Sequence, residues 1–293
     1  MREVLRKKIY ITSLIILFNL TMTAQEQTTQ EKYDYGICLS GGSALGYAHA
    51  GVLQALSEYG IVPEVVAGSS MGAIIGTLYA AGYTPHEMME ICRSKKMYDI
   101  HKLLKPSFSR KGFASHQTLR NLLTDIVPQN SFDCLQHELH FCITNIGDAT
   151  YKIVNSGNLQ DYVVASASIP GVFQVNYIDD GIYVDGGLLN NLPAETIRDK
   201  CRILIGVDVL PYFKKSEVKN ATDVLIASMR MMIHANSIEG QKMCDHLIVS
   251  PGIKKFNEFD FDKYEEIYQT GYDAAVEYIK NNPEILKYVK YAE

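Results

Sequence analysis

One serine in this chain is placed for covalent chemistry. Gly68-x-Ser70-x-Gly72 stands directly between an apolar run, Glu64-Val-Val-Ala67, and an apolar helical stretch from Ala73 to Ala81. A sharp strand-to-helix turn pushes the central side chain out of a sheet, and small residues must flank it because strand and helix backbones approach closely there. Ser70 would also stand at a helix N-terminus, where unpaired backbone N–H groups favour developing negative charge. The chemistry this predicts is nucleophilic attack on a carbonyl carbon through an acyl-enzyme.

A nucleophilic serine needs a base. A Ser-Asp-His triad would draw on His234 or His246 after Asp185. The sheets that carry such triads place several strands before the elbow, and the residues ahead of Ser70 allow little more than one β-α unit. Asp185-Gly186-Gly187 follows the apolar run Ile182-Tyr-Val184, and two glycines after an acid let the backbone pack tightly. A carboxylate can act directly as base if desolvation raises its pKa from about 3.9 toward the working pH. The residues alone leave Asp185 open between base and turn residue. Gly41-Gly42-Ser43, at the end of the first apolar run, presents successive N–H groups that can cradle an oxyanion, with Met71 adding the amide after the nucleophile. A dinucleotide loop is the rival reading of those glycines. Ser43 stands where its second glycine belongs and no acid ends the second strand, so no cofactor is expected.

The elements that must position these residues alternate. Tyr35 to Leu39 reads as a strand, Tyr47 to Tyr59 as a helix, Glu64 to Ala67 as a strand and Ala73 to Ala81 as a helix. Thr84-Pro-His-Glu87 marks another helix start. Further strands are expected at Leu139–Thr144, Tyr151–Val154, Gln174–Ile178, Ile182–Val184, Ile203–Val209 and His246–Val249, and long helices around Thr222–Met243 and Asp262–Lys280. Two β-α units with short connections predict a mostly parallel sheet flanked by helices, and turns at Gly147-Asp148 and Asp179-Asp180-Gly181 predict an antiparallel part.

Composition narrows the function. The 293 residues are 47% hydrophobic and 21% charged, as in an ordinary globular chain, and 28 Lys and Arg against 33 Asp and Glu leave it at −5, which suits no nucleic-acid partner. Arg2, Arg6, Lys7 and Lys8, an apolar stretch from Ile9 to Leu20 and Thr21-Met-Thr-Ala24 read as a cleaved secretory signal over 1–24, with a single domain over 25–293. Removal leaves 24 cations against 32 anions. No CxxC pair occurs among Cys38, Cys92, Cys134, Cys142, Cys201 and Cys244, and mostly buried free thiols are expected. His137-Glu-Leu-His140 has the wrong spacing for a zinc helix, so no metal is expected. Seven basic residues between Arg93 and Lys111, interleaved with Met97, Tyr98, Ile100, Leu103, Leu104 and Phe108, could dock on an anionic membrane surface, form a lid or be a solvated helix. Tyr264, Tyr268 and Tyr272 are expected in the core.

Four blocks together resemble the patatin-like phospholipase family: Leu39-Ser-Gly-Gly-Ser-Ala-Leu-Gly46 with Ala48-His-Ala-Gly-Val-Leu53, then Gly68-Ser-Ser-Met-Gly72, Ala165-Ser-Ala-Ser-Ile-Pro-Gly-Val-Phe173 and Val184-Asp-Gly-Gly-Leu-Leu-Asn-Asn-Leu-Pro193. The resemblance implies a three-layer α/β/α lipid acyl hydrolase with a Ser-Asp dyad and no histidine, in a bacterial, exported form carrying the catalytic domain alone. By that resemblance Ser70 is the nucleophile, Asp185 the base, and Gly41, Gly42 and Ser43 the oxyanion loop, with Gly46, Gly68, Gly72, Gly186 and Gly187 completing the motifs. Two positions depart from it: Ser43 replaces a third glycine and Leu45 a basic residue. Phospholipase A or lysophospholipase activity is expected; a lipid-binding module with weakened catalysis, or an acyltransferase, is the alternative.

Overall fold

The computed structural model describes residues 31–94, 116–210, 218, 219 and 221–290. The expected signal, 1–24, and all of the basic segment 93–111 except Arg93 and Ser94 lie outside them. Apolar β-branched runs become eight strands: β1 (Tyr33–Leu39), β2 (Val65–Ser69), β3 (Glu138–Asn145), β4 (Thr150–Val154), β5 (Asn176–Ile178), β6 (Gly181–Asp185), β7 (Cys201–Asp208) and β8 (His246–Val249). They form one mixed sheet in the order β5-β6-β3-β2-β1-β7-β8, with β4 paired to β3. The β1, β2, β3, β7 and β8 pairings are parallel; β4, β5 and β6 pair antiparallel, as the two turns predicted.

The helices are α1 (Tyr47–Glu58), α2 (Met71–Ala80), α3 (Pro85–Arg93), α4 (Gln117–Ile126), α5 (Leu159–Ser166), α6 (Ala221–Ala235), α7 (Ile238–Met243) and α8 (Tyr264–Asn281). Alternation along the strands sorts side chains to two faces. Ile37, Leu39, Val66, Ile205 and Val207 join the large core under α1, α2 and α8, whereas Cys38, Val65, Ala67 and Leu204 meet a smaller core with Leu192, Ala194 and Ile197. The three layers are therefore unequal. Thr84 caps α3 by a reciprocal box with Glu87, as its spacing predicts.

The single helix expected over Thr222–Met243 is two. It breaks at Asn236-Ser237 because Asn236 donates to the Leu188 carbonyl and its own carbonyl accepts from the Asn191 N–H at 3.4 Å, tying the bend to the β6 loop. Sequence reading also passed over α4 and α5. Leu119, Leu122, Leu123 and Ile126 bury one face of α4 at helical spacing, and Asn158 caps α5 by accepting from Asp161 N–H.

Candidate active site

The topology brings the two chemical groups together head-on. β2 runs parallel to β3 and ends with Ser69 opposite Cys142; β6 runs antiparallel to β3 and ends with Asp185 opposite Ile143. β4 occupies the other edge of β3 over Phe141–Asn145, so β2 and β6 share one edge and point at each other. Adjacent β3 residues thus set the chain ends that carry Ser70 and Asp185 face to face.

Ser70 sits in the bend with φ 53° and ψ −121°, a conformation that side chains rarely adopt. Both motif glycines are steric necessities. A Cβ on Gly68 would stand 2.6 Å from the Gly72 carbonyl, and one on Gly72 would stand 2.1 Å from the Leu39 carbonyl oxygen. The Ser70 N–H donates to Ser166 Oγ at 3.0 Å, and Ser166 Oγ donates to the Cys142 carbonyl at 2.7 Å, so the elbow is anchored to α5 and β3.

Ser70 Oγ donates to Asp185 Oδ2 at 2.5 Å. The other carboxylate oxygen, Oδ1, accepts from Gly187 N–H at 2.8 Å, and the Asp185 N–H donates to the Ser168 carbonyl. Burial pushes the Asp185 carboxyl up to about 6, with the Ser70 and Gly187 bonds opposing the rise. It is a stronger base than an exposed aspartate and still ionised at neutral pH. Asp185 is at once the hydrogen-bond acceptor of the serine and, through Oδ1, the cap of the turn that follows it. His246 bonds to the Tyr278 hydroxyl, and β8 lies three strands from β2; His234 faces the Leu210 carbonyl. The triad expectation finds no support in either histidine.

The glycine loop lies beside the elbow because β1 and β2 pair with Leu39 opposite Gly68. One expected donor is corrected. The Gly41 N–H is already given to Asn191, to both its carbonyl (3.2 Å) and its Oδ1 (3.1 Å), and cannot also face an oxyanion. Gly41 instead makes room, since a Cβ there would stand 2.5 Å from that Oδ1 and 3.0 Å from Ser70 Cβ. The N–H groups of Gly42, Ser43 and Met71 have no partner among the described residues. Ser43 takes up the left-handed backbone, φ 52°, that a glycine would adopt there without strain. Leu45 is buried in the large core, so no cation is held at that position. Gly46 lets Met71 approach, Gly186 the Cys142 carbonyl, and Gly187 the Asn191 side chain.

Three supporting residues were not singled out from sequence. Asn191, fully buried, bridges the loop to Ser237 Oγ. His49 donates from Nε2 to the Ser40 carbonyl at 2.8 Å; burial pushes it down to about 4, so it is neutral. Asp208 ends β7 as a second buried carboxyl, raised by burial, and is held by Gln241, the Leu210 N–H and the Ser40 hydroxyl. Its signal was the one Asp185 gave, an acid closing an apolar run. His137 stacks on Tyr79 and His140 bonds Glu138. The three tyrosines of α8 pack on the core, and all six cysteines are free.

The patatin-like phospholipase family model matches residues 37–197, and the chain belongs to that family. It is similar to lysophospholipase NTE1 of Kluyveromyces lactis, 25% identical over 84% of this chain and 19% of that one. An NTE family protein of Mycobacterium tuberculosis is 34% identical over 55% of this chain and 44% of its own length. The solved structure of VipD from Legionella pneumophila aligns with a TM-score of 0.46 at 14% identity, covering 86% of this chain and 67% of that one. The chain spans less than half the length of either sequence relative.

Proposed function

We propose that this protein is a serine hydrolase of lipid acyl esters, of the phospholipase A or lysophospholipase type. The observation that carries the reading is the 2.5 Å bond from Ser70 Oγ to a buried Asp185 whose carboxyl is raised to about 6. Oγ attacks the ester carbonyl while Asp185 takes its proton. The N–H groups of Gly42, Ser43 and Met71 hold the tetrahedral oxyanion, the protonated Asp185 returns its proton to the leaving alcohol, and an acyl-serine remains. Water then attacks that ester, gives its proton to Asp185 and releases the fatty acid, and the proton returns to Oγ. The lysophospholipase named among the relatives supports a glycerolipid substrate.

Incubating wild type and Ser70→Ala with lysophosphatidylcholine and with a chromogenic butyrate ester tests this: wild type should release acid from both and the variant from neither. Equal rates would leave only a lipid-binding role. Acyl transfer would appear as an acylated alcohol when a glycerol acceptor is supplied, in place of free acid. Asp185→Asn should lose a positioned base, about 10²–10⁴ in rate, while His234→Ala and His246→Ala keep turnover.

The export reading belongs to the same proposal. The basic n-region, the apolar stretch and the small residues Thr23 and Ala24 before Gln25 support cleavage and a periplasmic or secreted location. Amino-terminal sequencing of the exported protein should begin at Gln25, and an intact Met1 would refute it. The excess of cations between Arg93 and Lys111 supports contact with an anionic membrane surface.

A further inference from the structure

The α6 helix is apolar even on the face it turns to water. An ordinary surface helix turns its charges outward and buries an apolar stripe. In α6 no described side chain is buried, and the most exposed positions, Val224, Leu225, Ser228, Met231, Met232 and Ala235, recur at helical spacing and share one outward stripe. Val224 is 51% exposed, Leu225 46%, Met231 57% and Met232 45%. That stripe carries no charged residue. Asp223, Arg230 and His234 fall on the flank, where Arg230 pairs with Glu258 at 2.6 Å.

The helix also borders the site on two sides. Near its start, Leu225 lies against the segment that backs the base: a Cβ on Gly171 would be 3.5 Å from Leu225 Cδ2, and Ser168 in that segment accepts the Asp185 N–H. Just past its end, Asn236 holds the Leu188 carbonyl and the Asn191 N–H. On the flank, Glu258 accepts the Ala44 N–H through its carbonyl, so the Arg230–Glu258 pair connects α6 to the residue after Ser43.

We infer that the outward stripe of α6 is the surface by which this protein docks on lipid aggregates, with its apolar side chains entering the acyl boundary beside the catalytic opening. The inference rests on the lipid-ester reading above. A lipid surface fits because the stripe is uncharged and apolar, and because Leu225 at its start lies against the segment that backs Asp185, near which an acyl ester must arrive. Docking there would present the ester to the dyad without its crossing water.

Vesicle partitioning tests it. Ser70→Ala, used so that lipid is not consumed, is sedimented with phosphatidylcholine vesicles alongside the same protein carrying Val224→Glu, Met231→Glu and Met232→Glu. The expected result is at least a tenfold loss of bound protein in the charged variant. With Ser70 intact, the three substitutions should cut hydrolysis of vesicle lipid at least tenfold and leave turnover of a monomeric butyrate ester within twofold. Equal partitioning would overturn the inference. So would a wild-type dimer in velocity sedimentation that the charges convert to monomer with no change in vesicle binding, which would make the stripe a contact between copies. If wild type hydrolyses neither ester, the lipid-ester reading fails, and the partitioning result still decides whether the stripe binds lipid.

Discussion

Ser43 carries two penalties at once: a left-handed backbone and a buried hydroxyl with no hydrogen-bond partner among the described residues. Each costs about 1–3 kcal/mol in a typical protein. Ser43→Gly removes both and keeps the N–H, offset by about 1 kcal/mol for the added freedom of glycine in the unfolded chain, so the variant should gain about 1–5 kcal/mol in urea unfolding and retain kcat on a soluble ester within threefold. A loss of stability would mean the hydroxyl has a favourable role. Asp185 sets the pH dependence. Its carboxyl must be ionised to accept a proton, so kcat/KM should rise with pH through about 6 and then level off. Because its folded pKa lies above the unfolded value of 3.8, the neutral form favours folding. That contribution is complete below about pH 4 and is lost as pH rises through about 6. Asp185→Asn keeps an oxygen for the Gly187 N–H and should be more stable than wild type at pH 8 by about 2–3 kcal/mol, with the gain vanishing near pH 3.5. Urea midpoints at the two pH values check this, and equal gains would contradict it.

Between elements, one tight joint is the crossing of α1 and α8. A Cβ on Gly51 would stand 2.0 Å from the Tyr268 carbonyl oxygen, and one on Gly271 would stand 2.1 Å from the Ala48 carbonyl oxygen. The two helices touch backbone to backbone, and α1 begins directly after the oxyanion loop. Gly271→Ala should therefore cost about 3 kcal/mol or more in thermal unfolding, against about 1 kcal/mol gained wherever Ala merely improves a helix. An unchanged melting temperature would show that α8 can shift freely. The capping box on α3 could be read directly from Thr84 and Glu87 because caps are local chemistry. The break between α6 and α7 could not, because it answers to Leu188 and Asn191, about forty-five residues away in the chain.

Across the whole molecule, four of the six free thiols, Cys38, Cys92, Cys142 and Cys201, are buried in the sheet and its covers. Cys38 and Cys142 are raised well above the usual thiol range by burial, and Cys92 and Cys244 are pushed up to about 12. Thiol titration of the folded protein at pH 8 should find one reactive group, Cys134, which is exposed, and six after denaturation. Cys134→Ser should abolish the native signal, and labelling of several sites would contradict this packing.

What the amino-acid order determined by itself was everything encoded by neighbours: the elbow serine with its flanking glycines, the acid closing a strand, the alternation of strand and helix, and the four blocks that resemble the family. Local sterics and periodicity reach only a few residues, so they named Ser70 and Asp185 without bringing them together. Their meeting was decided by β3, which seats β2 and β6 end to end on one edge. The transfer of the Gly41 amide from oxyanion donor to partner of Asn191 was likewise tertiary, because it depends on which distant carbonyl the folded chain brings alongside.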